Sequence, residues 1–527
     1  LMMSPAETFR WLYGKVKREW KLAFGTCVIL GLLIHMPVLV SDIPNHDGLD
    51  SMYFDQNMIT SGRWFLTIAC GFSSYFTLPW LIGLLGLAFL GCTAAALCEL
   101  LEVRKDWAVV LCSGLLVSFP ALSSTFAYVF TLDGYMLALL LAVLAVLFTK
   151  KYKFGFVPGA MCLAFSMGTY QAYLAVTMIL SVFAVLMLFA DTNAGEAGEK
   201  KGAALKVQFM AALRYFYMGV LGAVLYYVIL QVLLKVQGKE LAGYQGINGM
   251  VSGASTGGGI LSVVGNMYRD FLGFTFGGNV LFQNIFSVLA CMVLVLAVML
   301  AVFVLMVERK WWKNPVCFVI IGVVFISFPM ITNIILVISP NVTYHLLMRY
   351  QWVLYLIGGV ALVSNLKVTG KRYLLQWAAC LSASVLIFCY GVTDNIAYSN
   401  LQKKYEKTYA YCVRLLDRIE QTEGYYQGIP IAMIGVVGEE QYPVTDLTLE
   451  VTSNMIGMGG DYLLYTGNNY SAFMKHYLGA TLNILPAEAM AEIYYSEAYI
   501  GMDTFPGENS IRIMDGVMYV KTENSGR

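Results

Sequence analysis

Four carboxylates, Asp42, Asp47, Asp50 and Asp55, crowd one polar stretch that begins Ser41-Asp42-Ile43-Pro44-Asn45-His46-Asp47-Gly48-Leu49-Asp50, with Arg63-Trp64 following a few residues on. These residue types support one kind of chemistry well. A carboxylate that reaches a hydroxyl removes its proton as a general base, a second one orients that hydroxyl or holds a divalent cation, and a guanidinium fork holds a phosphate. Asp47 and Asp50 are three residues apart, so a helix starting near Asp47 would put both on one face. The competing reading makes Asp47 the N-cap of that helix and Asp50 its capping-box partner. If a cation such as Mg or Mn is used, Asp47 and Asp50 are the residues to hold it. His46 is either a binding residue or a local hydrogen-bonding group.

Further candidates for substrate binding are scattered along the chain. Trp64 beside Arg63 reads equally as part of a lipid-phosphate site or as an interfacial anchor. Asp133, in Phe130-Thr131-Leu132-Asp133-Gly134-Tyr135, orients a sugar hydroxyl or caps the helix that follows. Tyr170 and Gln171, in Gly168-Thr169-Tyr170-Gln171-Ala172-Tyr173, belong to an aromatic belt or a sugar platform. His345 and Arg349 stand together near residue 350, where Arg349 is a phosphate ligand or a snorkelling anchor.

The elements that must position these residues are membrane helices. Hydrophobic residues make up 58% of the chain and charged ones 13%, far from the balance of a soluble domain. About eleven apolar runs are expected to form spans, at 21–40, 78–98, 107–125, 134–148, 155–168, 170–190, 216–234, 285–307, 315–338, 351–363 and 374–392. Basic residues cluster in every second connection: Arg10 to Arg18, Arg104/Lys105, Lys150 to Lys153, Lys200 to Arg214, Arg309 to Lys313 and Lys367 to Arg372. By the positive-inside rule the N-terminus is cytoplasmic, and the Asp-rich loop at 41–77 faces outward. The eleven cysteines form no C-x-x-C pair and imply no disulfide framework or zinc site. Charge returns at Asp394, where a separate extracytoplasmic domain of α/β type is expected over 394–527, after a membrane domain over 1–393. That domain should contain a helix over 400–421, a strand over 429–437, a helix over 487–499 and a hairpin over 510–521 turning at Asp515-Gly516. The fold class is therefore an all-α polytopic membrane protein with a small C-terminal α/β domain.

In order and placement, Asn45 to Asp50, Ser61-Gly62-Arg63-Trp64-Phe65, Phe130 to Asp133 and Gly168 to Ala172 resemble the GT-C superfamily of polytopic glycosyltransferases, and more closely the bacterial type-specific Gtr glucosyltransferase family. The resemblance implies a multi-pass enzyme of the bacterial plasma membrane that moves a sugar, glucose above all, with inversion from a polyprenyl-phosphate carrier such as undecaprenyl phosphate to a cell-surface glycan. It implies an acid of the first external loop as base, Asp47 before Asp42 or Asp50, with Arg63 or Arg349 against the leaving phosphate. The lipid bilayer is a partner and nucleic acid is not. The competing classes are a lipid-linked sugar flippase or transporter, and a GT-C enzyme with another sugar or a protein acceptor. A flippase would be expected to carry polar groups along a path through its spans, and the expected span interiors hold essentially no charge.

Overall fold

The computed structural model describes residues 3–50, 57–71, 78–190, 199–243, 260–277, 280–281, 283–313, 315–339, 342–434, 455, 458, 463–464 and 467–522, with Asp50 described by its backbone alone. Every expected span falls on helix. The helices, in order, are α1 (Pro5–Lys15), α2 (Arg18–Val40), α3 (His46–Asp50), α4 (Leu66–Cys70), α5 (Pro79–Leu100), α6 (Asp106–Ser118), α7 (Pro120–Phe126), α8 (Leu132–Lys151), α9 (Phe156–Thr169), α10 (Leu174–Ala190) and α11 (Glu199–Gln237). They continue with α12 (Ile260–Gly277), α13 (Ile285–Arg309), α14 (Pro315–Thr332), α15 (Ile335–Ile338), α16 (Val353–Asn365) and α17 (Tyr373–Gln421). Among the described residues, seven helices are long and apolar enough to cross a membrane, and the bent pair α6–α7 makes an eighth. Helix α12 lies where the sequence suggested only a loop.

The bend between α6 and α7 is 49° and has a definite cause. Pro120 has no N–H to return to the Leu116 carbonyl, and the turn of the chain also strands the carbonyl of Val117. Side chains from distant helices replace the lost donors. The Tyr350 hydroxyl donates to Leu116 O. His35 Nε2 lies 2.8 Å from Val117 O, and His35 Nδ1 lies 2.6 Å from the Tyr398 hydroxyl. A carbonyl only accepts, so the proton sits on Nε2 and Tyr398 donates to Nδ1. The broken span is thus fixed to α2 and α17 at membrane depth, where an unpaired carbonyl would be costly.

Helix α17 is 49 residues long, or roughly 73 Å at the helical rise. The domain boundary expected at Asp394 falls inside it, so the membrane part and the C-terminal part are joined by continuous helix. No proline or glycine interrupts the stretch from Val392 to Gln421. Beyond it come β1 (Pro430–Ile434), α18 (Gly467–Leu478), β2 (Asn483–Ile484), α19 (Ala487–Tyr494), α20 (Glu497–Ile500), β3 (Ile511–Met514) and β4 (Val517–Lys521). The sheet runs β2-β1-β4-β3, with β1 parallel to both neighbours. The β3–β4 hairpin closes through Asp515 at φ 49° and Gly516 at φ 78°, both positive as a type I′ turn requires. The core of this part gathers Cys412, Leu415 and Ile419 from α17, Ile431 and Met433 from β1, Phe473 and Met474 from α18, and Met518 and Val520 from β4. One further member, Leu49, comes from the Asp-rich loop.

Candidate functional site: the first loop and its two clasps

The leading end of the loop turns into α3 because Asn45 caps it. Its Oδ1 accepts from the Gly48 N–H at 2.7 Å, and its Nδ2 donates to Ala127 O at 3.1 Å. Capping therefore belongs to Asn45, and Asp47 stands in the first turn with its side chain 51% exposed. Asp47 Oδ1 is 3.5 Å from Nε2 of the buried His46. The side chain of Asp50 and the whole of Asp55 lie outside the described residues. Gly48 faces Phe130, so the loop meets the Phe130–Asp133 stretch directly.

The C-terminal part holds this end. Leu49 is 2% exposed, sunk into the core described above. From α18, Asn469 Nδ2 donates to His46 O at 3.3 Å and the Tyr477 hydroxyl donates to Asp42 Oδ2 at 3.4 Å. Asp42 remains solvent-accessible. Loss of water from the protein mass beside it pushes its carboxyl above the usual range, an effect that the Tyr477 hydrogen bond and nearby His476 oppose.

Membrane helices hold the trailing end. Gly62 turns the chain at φ 77°, a left-handed conformation that suits glycine. Gln171 Nε2 donates to Ser61 O at 2.9 Å, and the Tyr226 hydroxyl, on α11, donates to Gly62 O at 3.1 Å. The Phe65 N–H donates to Gly168 O at 2.7 Å, and Trp64 lies flat against Gly168. A Cβ at residue 168 would come within 2.5 Å of the indole, so glycine is what lets the loop approach. Between these contacts stands Arg63, donating to the Tyr135 hydroxyl at 3.2 Å, with its guanidinium 5.4 Å from the ring of Tyr170. Tyr135 and Tyr170 stack at 4.3 Å. Both motifs singled out around residues 133 and 170 therefore build the seat of Arg63.

The remaining candidates separate from this group. Asp133 is buried at the start of α8, where its Oδ1 accepts from the Gly134 N–H at 2.9 Å. His345 precedes a short turn at Leu346–Met348. Arg349 forms a two-pronged ion pair with Asp270 of α12, at 2.7 and 2.8 Å, and its guanidinium lies 3.7 Å from the ring of Tyr344. Its fork is engaged with a carboxylate, and it ties α12 to the segment before α16. Among the described residues no three His, Cys, Asp or Glu side chains are grouped to hold a metal ion. His46 and Asp47 are the pair on hand.

Asn45, Leu49, Tyr135 and Tyr226 were not singled out by residue type, since a lone leucine in a polar loop and tyrosines at helix ends have many roles. Asn45, two residues before Asp47, carried the clearest signal, as a capping residue ahead of Gly48.

A bundle of apolar helices long enough to cross a membrane, with the loop that carries Asp42, Asp47 and Arg63 clasped against it, defines a polytopic membrane protein. The family model of the glucosyl transferase GtrII matches residues 36–366, more than half of the chain, and the chain belongs to that family. No curated protein and no solved structure matches it. The match begins inside α2, takes in the whole first loop, and stops before α17. The protein is thus a glucosyltransferase of the membrane.

Proposed function

We propose that this glucosyltransferase takes its sugar from a polyprenyl-phosphate carrier and transfers it, with inversion, to a cell-surface glycan on the extracytoplasmic face. The observation that carries the reading is the division of the first loop between an accessible carboxylate, Asp47, and an arginine seated among tyrosines, Arg63. In a single displacement the acceptor hydroxyl attacks the anomeric carbon while the bond to the carrier phosphate breaks on the opposite face. The hydroxyl proton passes to Asp47, and the charge growing on the departing phosphate is met by Arg63. Asp50 orients a hydroxyl in this scheme, and Trp64, Tyr170 and Gln171 hold the arginine and the loop in place. His46 steadies the Asp47 carboxylate. His345 and Arg349 belong to the wall of the donor side, with Arg349 acting through its pair with Asp270. The clustering of basic residues in alternate connections supports a loop that faces outward.

Transfer of labelled glucose from purified polyprenyl-phosphate glucose to an envelope glycan fraction tests this in the full chain. Asp47→Asn should lower the rate by about 10²- to 10⁴-fold with donor binding retained. A folded Asp47→Asn protein as active as the parent removes Asp47 from the role of base.

A further inference from the structure

Asp42 sits at a junction that the transfer step leaves without a partner. It is accessible, and the hydrogen bond it accepts from Tyr477, at 3.4 Å, is long for an O–H to carboxylate contact. A carboxylate offers about four acceptor positions, so among the described residues Asp42 has acceptor positions to spare. Around it stands a group of tyrosines from two helices of the C-terminal part. The ring of Tyr405 meets that of Tyr477 edge-on at 5.5 Å and that of Tyr409 at 6.3 Å, while Phe473, wholly buried, lies beneath Tyr477 at 5.0 Å. Tyr409 is 40% exposed, and Tyr405 and Tyr477 are half-buried.

Resting on the glucosyltransferase reading above, we propose that Asp42, Tyr405, Tyr409 and Tyr477 form the subsite for the acceptor, a neutral saccharide, and that the C-terminal part selects which saccharide is modified. The chemistry of the side chains identifies the ligand. Aromatic faces accept the apolar C–H face of a sugar ring, and a carboxylate with free lone pairs accepts its hydroxyls. A phosphate or acidic sugar would meet the charge of Asp42 instead.

The placement agrees with this chemistry. Helix α18 holds His46 O through Asn469 and Asp42 through Tyr477, eight residues later, so the backbone at Tyr477 lies about 12 Å along the helix from the residue that holds the turn carrying Asp47. That is the reach of a short oligosaccharide whose end is presented to the base. All three tyrosines also fall outside residues 36–366, whereas Arg63, Tyr135, Tyr170, Gln171 and Tyr226 all fall inside. The portion matched to the family carries the seat of the arginine, and the portion beyond it carries the tyrosines.

The test is binding of a printed set of neutral and acidic oligosaccharides by the full chain in lipid nanodiscs, beside binding of polyprenyl-phosphate glucose. The parent should retain neutral glycans. Tyr409→Ala, at an exposed position that tolerates truncation, and Asp42→Asn should each weaken that binding roughly tenfold or more, with donor binding unchanged. Tyr477→Phe, which keeps the ring and removes the hydroxyl, should shift it less. A parent that holds no neutral glycan, a preference for acidic ones, unchanged glycan binding in both variants, or an equal loss of donor binding overturns the proposal. Because glycan binding is read without turnover, failure of glucose transfer with every donor would count against the transfer reaction alone.

Discussion

The two ends of the first loop are built on different principles. The trailing end, residues 57–71, is fixed by backbone: the carbonyls of Ser61 and Gly62 and the N–H of Phe65 are each tied to a membrane helix or its end. The leading end, residues 42–50, is fixed chiefly by a plug, with Leu49 in the core of the C-terminal part, hydrogen bonds from α18 to His46 O and Asp42 beside it, and the Asn45 amide tied to Ala127 O. Backbone ties give Arg63 one position, as a group that must meet a phosphate at a set depth requires. A hydrophobic plug holds α3 firmly and leaves Asp42 and Asp47 open to solvent, as groups that must receive an incoming acceptor require. In the proposed reaction, one short loop joins a donor side held by backbone ties to an accessible acceptor side.

The comparison breaks most visibly at the trailing end. Arg63→Gln should cut glucose transfer by about 10²- to 10³-fold, the cost of removing one fixed charge from a developing anion, and should weaken donor binding more than acceptor binding. Kinetics that fall on the acceptor side instead would reverse the assignment of the two ends. Gly168→Leu should act through position: the side chain would collide with Trp64, and the loop would leave its seat. An overpacked site of this kind costs about 1–3 kcal/mol, read as a lower unfolding temperature together with lost activity. At the leading end, Leu49→Ala should cost about 2–5 kcal/mol of the docking between loop and C-terminal part. Hydrogen exchange would show it as faster exchange in α3 and α18 with residues 61–65 unaltered, and equal loosening at both ends would mean that they are not independent. The smallest effect is expected from Tyr226→Phe, about 1 kcal/mol for one hydrogen bond to Gly62 O, visible in a thermal shift.

Much of this architecture was legible in the residues because bilayer thickness sets helix length and acids cannot hide in apolar runs. The spans, the hairpin at Asp515-Gly516 and the helix over 400–421 follow from period and turn chemistry alone. Pro120 inside an apolar run marks a kink, and His35 in Ile34-His35-Met36-Pro37 marks a buried polar group that needs partners, though neither names those partners. The continuity of α17 was hidden because composition changes at Asp394 while helix formers continue, so a change of solvent looked like a change of element. Asp394 itself is fully buried, against the expectation of a charge at the start of a soluble domain. Helix α12 is hard to read from sequence because its amphipathic pattern lies alone within the long connection between the expected spans at 216–234 and 285–307. At the site, residue types drew attention to Asp47, Arg63 and the Gly168 motif. They could not reveal the plug at Leu49 or the pairing of Arg349 with Asp270, because both depend on contacts between segments more than 75 residues apart.

The division of labour across the loop is tested most directly by photo-crosslinking the full chain with a polyprenyl phosphate that carries a diazirine next to its phosphate, followed by peptide mapping. The account predicts label on residues 57–71 and on the tyrosines that seat Arg63, Tyr135 and Tyr170. Label concentrated on residues 42–49 or on α18 would contradict it.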